Sequence, residues 1–540
     1  MLNVMKKHIQ NSCCETVFEV TDWDLLKRFL MLGCEKGTYY ISAADLTAIH
    51  LNSLDNLIKS SENYEQLVEI IKTYKSKSYK PDYLIYLLAR CCAHRDAPTL
   101  RDSAYVLLEE VCTIPTHLFM FIEMYERIHM NLYKSTGWNP RHKRAITKWY
   151  LNKKPIDLIY TMTKYKNRNG WRHEDVLRLA HIKKPDSAYD QIFKYTTSGY
   201  TQYIDTKSNK DETVLNFITA YQELSQSAFG SISNVIELIN KHNFAREHIP
   251  TGLLGNVDIW NALCQKMPMT AMLRNLNKIT SVGVFDKYPE TLNIIINRLT
   301  TQETIHKSKV HPLQFLISTY MYSSGTGFKG SLTWNPVQSI ITALNKSFRL
   351  SFKNVEPTNK SFLLALDVSG SMTSRGSVSG IECMTAAQIS CAMAMILASV
   401  ETNCDIMGFS NKFKELDIKP DADLNTNLTK THDSNFGCTD CCLPFTWATE
   451  KNKRYDCIIV FTDSETNCNR GSPVDSLRKY RVKYNRYTKL IVIATSANNF
   501  SIADPEDIYG MLDIAGFSAD TPGIIADFVQ QLPKSSLESS

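Results

Sequence analysis

Asp367, Ser369 and Ser371 stand two residues apart in D-V-S-G-S, directly after the apolar run 362–366. A buried strand that ends in a carboxylate and two hydroxyls sets three hard oxygen donors on one rim of a sheet. Such donors, in a partly hydrated shell, suit Mg²⁺ first, and Ca²⁺ or Mn²⁺ less selectively. Two later segments could supply the same rim. Thr439 lies in G-C-T-D, which begins at Gly437, and Asp463 follows the strand-like run 457–461. Ligands of open parallel sheets gather beyond the carboxyl ends of strands, so three loops would converge on one ion. The plain alternative is that the hydroxyls cap turns or helices while Asp367 accepts backbone amides. Cys438 and Cys441 form a C-x-x-C with no second pair and no histidine set, so they read as ordinary thiols.

A second chemistry is written in charge. The net +6 conceals a division: residues 1–360 carry 45 Lys+Arg against 33 Asp+Glu, and residues 361–540 carry 16 against 22. The first part looks for an anion. Its excess is concentrated at 141–184, with 13 basic and three acidic residues. Arg141, Lys143, Arg144, Lys164, Lys166, Arg168 and Arg172 are the leading candidates for phosphate contact, which gives affinity with little sequence preference. If the stretch is helical, Lys164, Arg168 and Arg172 share one face at i, i+4, i+8, although Gly170 weakens that helix. Tyr165, Trp171 and His181 lie close enough in sequence to stack on unpaired bases. Against this stands a solvated basic face, with Trp171 packed as a core anchor.

These candidates must be positioned by more than one domain, because 540 residues exceed a single core. Residues 20–355 read as successive helices, with apolar residues at three- and four-residue steps and breaks at prolines. Thr116 and Thr251 follow prolines and suit helix N-caps. Residues 356–361 read as a linker. From 362 to 532, strand-like runs at 362–366, 405–409, 457–461 and 490–494 alternate with helical ones, the order of a doubly wound α/β sheet. Residues 1–19 and 533–540 read as a separate N-terminal segment and a tail. No long uncharged apolar run or secretory signal is present, and the 15 cysteines are odd in number and irregularly spaced. Reduced thiols, a cytoplasmic location with a nuclear pool and no membrane partner are the expectation.

Several stretches resemble one family. T-K-Y-K-N-R-N-G-W-R-H (163–173), I-P-T-H-L-F (114–119), M-P-M-T-A-M-L-R-N-L-N-K (267–278) and I-A-D-P-E-D (502–507) are similar to the Ro proteins of Ro ribonucleoproteins. That family joins a helical TROVE module to a von Willebrand A domain. The resemblance implies a monomeric ring of HEAT-like helical repeats closed by the A domain. It also implies Y RNA on a basic outer surface and misfolded small noncoding RNA with its 3′ end in a central hole. Lys164, Arg168 and His181 match the family's RNA-contacting positions. The D-x-S-x-S, T-D and D set likewise resembles a metal-ion-dependent adhesion site. That likeness implies direct ligation by Ser369, Ser371 and Thr439, with Asp367 and Asp463 often acting through water. One departure stands out: Ser464 replaces the usual glycine.

An RNA-binding scaffold without catalysis is therefore the leading expectation, with a protein ligand able to complete the ion's shell. A metal-dependent protein-adhesion scaffold is the alternative. A metal-dependent ribonuclease ranks last, since two-metal chemistry needs clustered carboxylates and this rim is rich in hydroxyls.

Overall fold

Prolines start many of the helices, at a first position where a missing N–H costs nothing. Pro81, Pro98, Pro115, Pro140, Pro155, Pro289 and Pro312 each open one. The computed structural model describes residues 8–34, 42–204, 211–226, 231–327, 330–352, 357–373, 381, 383–401, 403–431, 438–467 and 471–531. Residue 356 of the expected linker, residue 532, the tail 533–540 and Gly437 lie outside the described residues. The N-cap roles expected of Thr116 and Thr251 are not observed. Ile114 and Pro250 occupy the cap positions, and neither helix start has a side-chain capping bond.

From Asp22 to Leu350 the described elements are helical apart from one small hairpin and short turns. Each helix buries its apolar face against neighbours close in sequence, and one apolar core extends from Leu26 through Phe352 into the second domain. The strands are β1 (His8–Gln10), β2 (Thr16–Glu19), β3 (Asn167–Arg168), β4 (Trp171–Arg172), β5 (Ser361–Asp367), β6 (Asn403–Phe409), β7 (Phe413–Glu415), β8 (Cys457–Thr462), β9 (Lys489–Ala494), β10 (Phe500–Ser501) and β11 (Met511–Ala515).

The second domain is built on a six-stranded sheet, β11-β9-β8-β5-β6-β7, parallel except for the antiparallel edge strand β7. Alternate side chains of its strands enter two cores. Phe362, Leu364, Leu366, Ile459 and Ile491 face the helices Ala386–Val400 and Thr521–Gln530. Leu363, Ala365, Ile458, Val460 and Val492 face Phe445 and Leu477 of the helices on the other side. This is the doubly wound arrangement the sequence pattern implies.

The described part of the N-terminal segment packs on the second domain. β1 and β2 pair with each other and then with β10, so the described part, residues 8–19, joins the second domain. The next helix, Asp22–Leu32, continues that attachment. Arg28, 1% exposed, donates from Nη2 to both Asp513 carboxylate oxygens at 2.9 Å, and from Nη1 to the Asn498 and Phe500 carbonyls at 2.8 and 2.9 Å. His50 Nε2 lies 2.8 Å from the Ala497 carbonyl oxygen.

The far end of the helical array meets the same domain elsewhere. Arg349 donates to the Pro420 carbonyl at 2.7 Å, Asn345 to Asp423 at 3.0 Å, and Asn425 to Ser323 at 2.9 Å. The array's two ends also touch directly: His311 Nε2 is 3.1 Å from the Lys77 carbonyl oxygen, and its ring packs against Tyr79. Contacts thus form a closed circuit from first helix to last and back through the sheet domain.

Removing one partner of a buried charged pair leaves the other without compensation, at a cost of about 3–5 kcal/mol. Arg28→Ala is therefore expected to lower the unfolding free energy by that amount. The single thermal transition should split as the first helices detach from the sheet domain. A calorimetric profile like the wild type's would contradict the closing role assigned to Arg28.

Candidate functional site

The rim at the carboxyl end of β5 is built by short-range bonds. Asp367 is fully buried; its Oδ1 accepts from the Ser369 amide at 3.0 Å and its Oδ2 from the Thr462 hydroxyl at 2.7 Å. Ser369 and Ser371 hydroxyls lie 3.2 Å apart, and the Ser371 hydroxyl is also bonded to Asp463. These four predicted residues are thus brought together. Thr439 is buried in the adjoining loop, whose backbone bonds to Asn467 in both directions.

Three carboxyls here carry raised pKa values. Burial, followed by repulsion from Asp463, pushes Asp367 up to about 7. Burial raises Asp463 as well, and pushes Glu465 to about 7. Ionised carboxylates packed this closely without a cation are unfavourable. Among the described residues no cluster of three or more His, Cys, Asp or Glu is placed to hold a metal. The donor set Asp367, Ser369, Ser371, Thr439 and Asp463 therefore has the hard-oxygen, hydroxyl-rich chemistry of a Mg²⁺-type shell rather than of zinc.

Ser464 takes φ +64°, the left-handed conformation that glycine adopts freely. Its amide donates to Thr462 Oγ1 at 3.0 Å, so the turn holds the rim in shape. Its own buried hydroxyl has no partner among the described residues. Over this loop lies the N-terminal hairpin, which no sequence pattern links to it. In the β1–β2 hairpin, Ser12 donates to Glu465 Oε1 and Asn11 Nδ2 to the Thr466 carbonyl, both at 2.7 Å.

The basic band is arranged differently from expectation. Lys164 ends the helix Pro155–Lys164, and the chain then turns through β3 and β4. Arg168 and Arg172 do not continue a helical face. In the hairpin register Arg168 pairs with Trp171 and Arg172 with Asn167, so the two arginines project from opposite faces. Asn169 and Gly170, at φ +50° and +81°, form the turn. Asn-Gly between short strands is the hairpin signal that sequence reading could have used.

Lys166, Arg168 and Arg172 are exposed and their side chains make no ion pair among the described residues, although the Arg172 amide donates to Asp175 at 3.2 Å. The hairpin rests on the helix Pro115–Tyr133, with half-buried Trp171 against Trp138 at 5.9 Å. Trp138 immediately precedes the helix Pro140–Leu151, which brings Lys143 and exposed Arg144 to the same neighbourhood. His181, exposed at φ +52°, terminates the helix His173–Ala180.

Other band members are already engaged. Lys164 is 14% exposed and its ammonium lies 3.9 Å from Glu247. Arg141 pairs with Asp102 at 3.1 Å, Arg178 with Glu174, and Lys184 with Asp190. His142 and His173 add no charge, because burial depresses both to about 3. His142 stacks on Tyr125 at 3.9 Å and His173 bonds to the Tyr150 hydroxyl at 2.8 Å.

Comparison with known proteins matches both domains. Residues 9–320 match the TROVE domain and residues 361–529 the Ro60 vWA domain. A Caenorhabditis elegans protein named RNA-binding protein RO60 is 34% identical, over 98% of this chain and 91% of its own. The protein of that name from Deinococcus radiodurans is 31% identical, over 97% and 96%. The crystal structure of Deinococcus radiodurans RO (RSR) protein superposes with a TM-score of 0.68 at 28% identity, covering 94% of this chain and 99% of that one.

Left-handed backbone costs a non-glycine residue roughly 1–2 kcal/mol. Ser464→Gly is expected to raise stability by about 1 kcal/mol, read as a higher Tm in the absence of divalent ions. A lower Tm would show that the Ser464 hydroxyl contributes something its present surroundings do not reveal.

Proposed function

The chain belongs to the Ro60 family, a TROVE domain joined to a vWA domain, and from that premise we propose that it is an RNA-binding scaffold of Ro-type ribonucleoproteins. The observation that carries this reading is the 166–172 hairpin. Its two-residue turn holds the Lys166, Arg168 and Arg172 side chains in solvent, without an ion pair among the described residues, beside a pair of tryptophans. Cations so presented neutralise phosphates and release their counterions. Arg144, Lys143 and His181 extend the surface, whereas Lys164 and Arg141 would have to exchange Glu247 and Asp102 for phosphate.

Within this reading, structured Y RNA lies on the outer basic surface, and misfolded small noncoding RNA threads a 3′ end into the helical circuit. A single chain closes that circuit by itself, which supports a monomer. The protein acts without catalysis, in the cytoplasm with a nuclear pool. No helix among the described residues is long and apolar enough to cross a membrane.

The rim is proposed to hold Mg²⁺ through Asp367, Ser369, Ser371, Thr439 and Asp463. A bound cation would supply charge compensation and a coordination position for an acidic group from a protein ligand. The raised pKa values of Asp367 and Asp463 support this, because a cation would take the place of the protons that those buried carboxyls otherwise keep.

Charge reversal at Lys166, Arg168 and Arg172 together should weaken Y RNA binding by ten-fold or more at about 0.1 M salt, and lower the slope of log affinity against log salt by about 2–3. An unchanged salt titration would remove the basis for the assignment. For the rim, the sign follows from linkage. Without a cation, folded Asp367 holds its proton to about 7, while the unfolded chain releases it in the ordinary carboxylate range. The stability present at low pH is lost as pH rises through that window. Asp367→Asn in chelator should thus exceed wild type in Tm at pH 7.5 and match it at low pH, whereas Mg²⁺ should stabilise only wild type. Equal Mg²⁺ stabilisation of both proteins would place the ion elsewhere.

A further inference from the structure

The acidic balance of the vWA domain conceals a basic pole. Of its 16 Lys and Arg residues, 10 fall between 451 and 489, against four carboxylates. No acidic residue occurs from 476 to 503. The fold places Lys451, Lys453, Arg454 and Arg486 in two segments, with Lys483 at the helix end beside them. Residues 451–456 lead into β8, and residues 484–488 lead into β9, so both lie at the amino ends of neighbouring parallel strands. The helices Leu443–Glu450 and Pro473–Lys483 also end there. Cross-bonds hold the segments together. The Tyr484 hydroxyl donates to the Thr449 carbonyl at 2.8 Å and to Asn452 at 2.6 Å, and the Tyr480 hydroxyl donates to the Lys453 carbonyl at 3.1 Å.

Some cations in this region have structural duties. Arg481 bonds to Asp507 and to the Thr488 and Gly510 carbonyls, Arg478 to Asp475 and Asp504, and buried Lys489 to carbonyls ending the last helix. Lys451, Lys453, Arg454, Lys479, Lys483 and Arg486 are exposed instead. Lys453 lies 3.3 Å from Asp405; the other five make no ion pair among the described residues. Favourable interaction with helix C-termini accounts for cations in the last turns. It does not account for Arg454 and Arg486 in loops, nor for the apolar groups around them. Tyr487 is 46% exposed with the Arg486 guanidinium 4.7 Å from its ring centre, and Val482 is 89% exposed.

Cations interleaved with an exposed ring that already stacks on a guanidinium make a surface for unpaired nucleotides, whose phosphates and bases it can hold together. We propose that this pole is a second RNA-contact surface, for single-stranded RNA, on the domain whose net charge would seem to repel it. Strands of six residues separate it from the Asp367 rim by about 20 Å, so RNA here leaves the metal rim open. The inference extends the reading of the chain as an RNA-binding protein and rests on it.

The test uses the full chain and a fluorescein-labelled oligouridine, with two charge-reversal variants. One is Lys479→Glu/Lys483→Glu/Arg486→Glu and the other Lys166→Glu/Arg168→Glu/Arg172→Glu; all six side chains are exposed, and circular dichroism checks the fold. The pole variant is expected to weaken binding at least about five-fold near 0.1 M salt and lower the salt slope by about 2. Ultraviolet crosslinking of wild type should mark the peptide that contains Tyr487, and Tyr487→Ala should abolish that crosslink without changing the helical content. If the pole variant binds like wild type while the hairpin variant does not, the second surface is wrong and the general RNA reading stands. If wild type fails to bind oligouridine at all, both fall. Equal competition by polyglutamate would also overturn the proposal, since the pole would then be a contact for acidic protein.

Discussion

A buried arginine, Arg28, fixes how the two halves of this protein meet. Its guanidinium is inaccessible to solvent, and four oxygens from three residues of the vWA domain accept from its two terminal nitrogens. Those bonds set the angle of the first helix against β11 and bring the N-terminal hairpin to β10. The far end of the helical array is tied independently through Arg349 and Asn345. With both ends held, the helical array and the sheet domain form one closed circuit of contacts, and the 166–172 hairpin packs on a helix within it.

The two domains handle charge in opposite ways. In the helical array, His142 and His173 among the basic residues are buried and neutral, packed against aromatic rings, and the charge is carried by lysines and arginines. In the vWA domain, carboxylates are drawn together at the carboxyl ends of the strands while cations accumulate at the amino ends. Concentrating acids at one end of a parallel sheet creates a place for a hard cation. Concentrating bases at the other creates a place for polyanions. A net charge averaged over the domain hides both.

Much of the architecture was legible in the sequence, for identifiable reasons. The four central strands appear as unbroken apolar runs because both of their faces are covered. β11 escaped notice because Asp513 interrupts it, and its carboxylate is explained by Arg28, 485 residues away in the chain, together with the Ser501 hydroxyl. β1, β2 and β7 are too short to show alternation. The assumed helix through Arg168 and Arg172 ignored Asn169-Gly170, whose left-handed preference outweighs the spacing of cations. The meeting of Asp367, Ser369, Ser371 and Asp463 could be anticipated because each lies at or just after the carboxyl end of an apolar strand of one parallel sheet. The clamp of Ser12 and Asn11 on the Glu465 loop could not, since it joins chain ends with no pattern in common.

The most direct test of the account is a cryo-electron microscopy reconstruction of the full chain with the RNA that copurifies with it. Ordered phosphates are predicted against Lys166, Arg168 and Arg172 on the outer side of the helical circuit, with the Arg28–Asp513 junction unchanged. RNA density located elsewhere, with that hairpin bare, would contradict it.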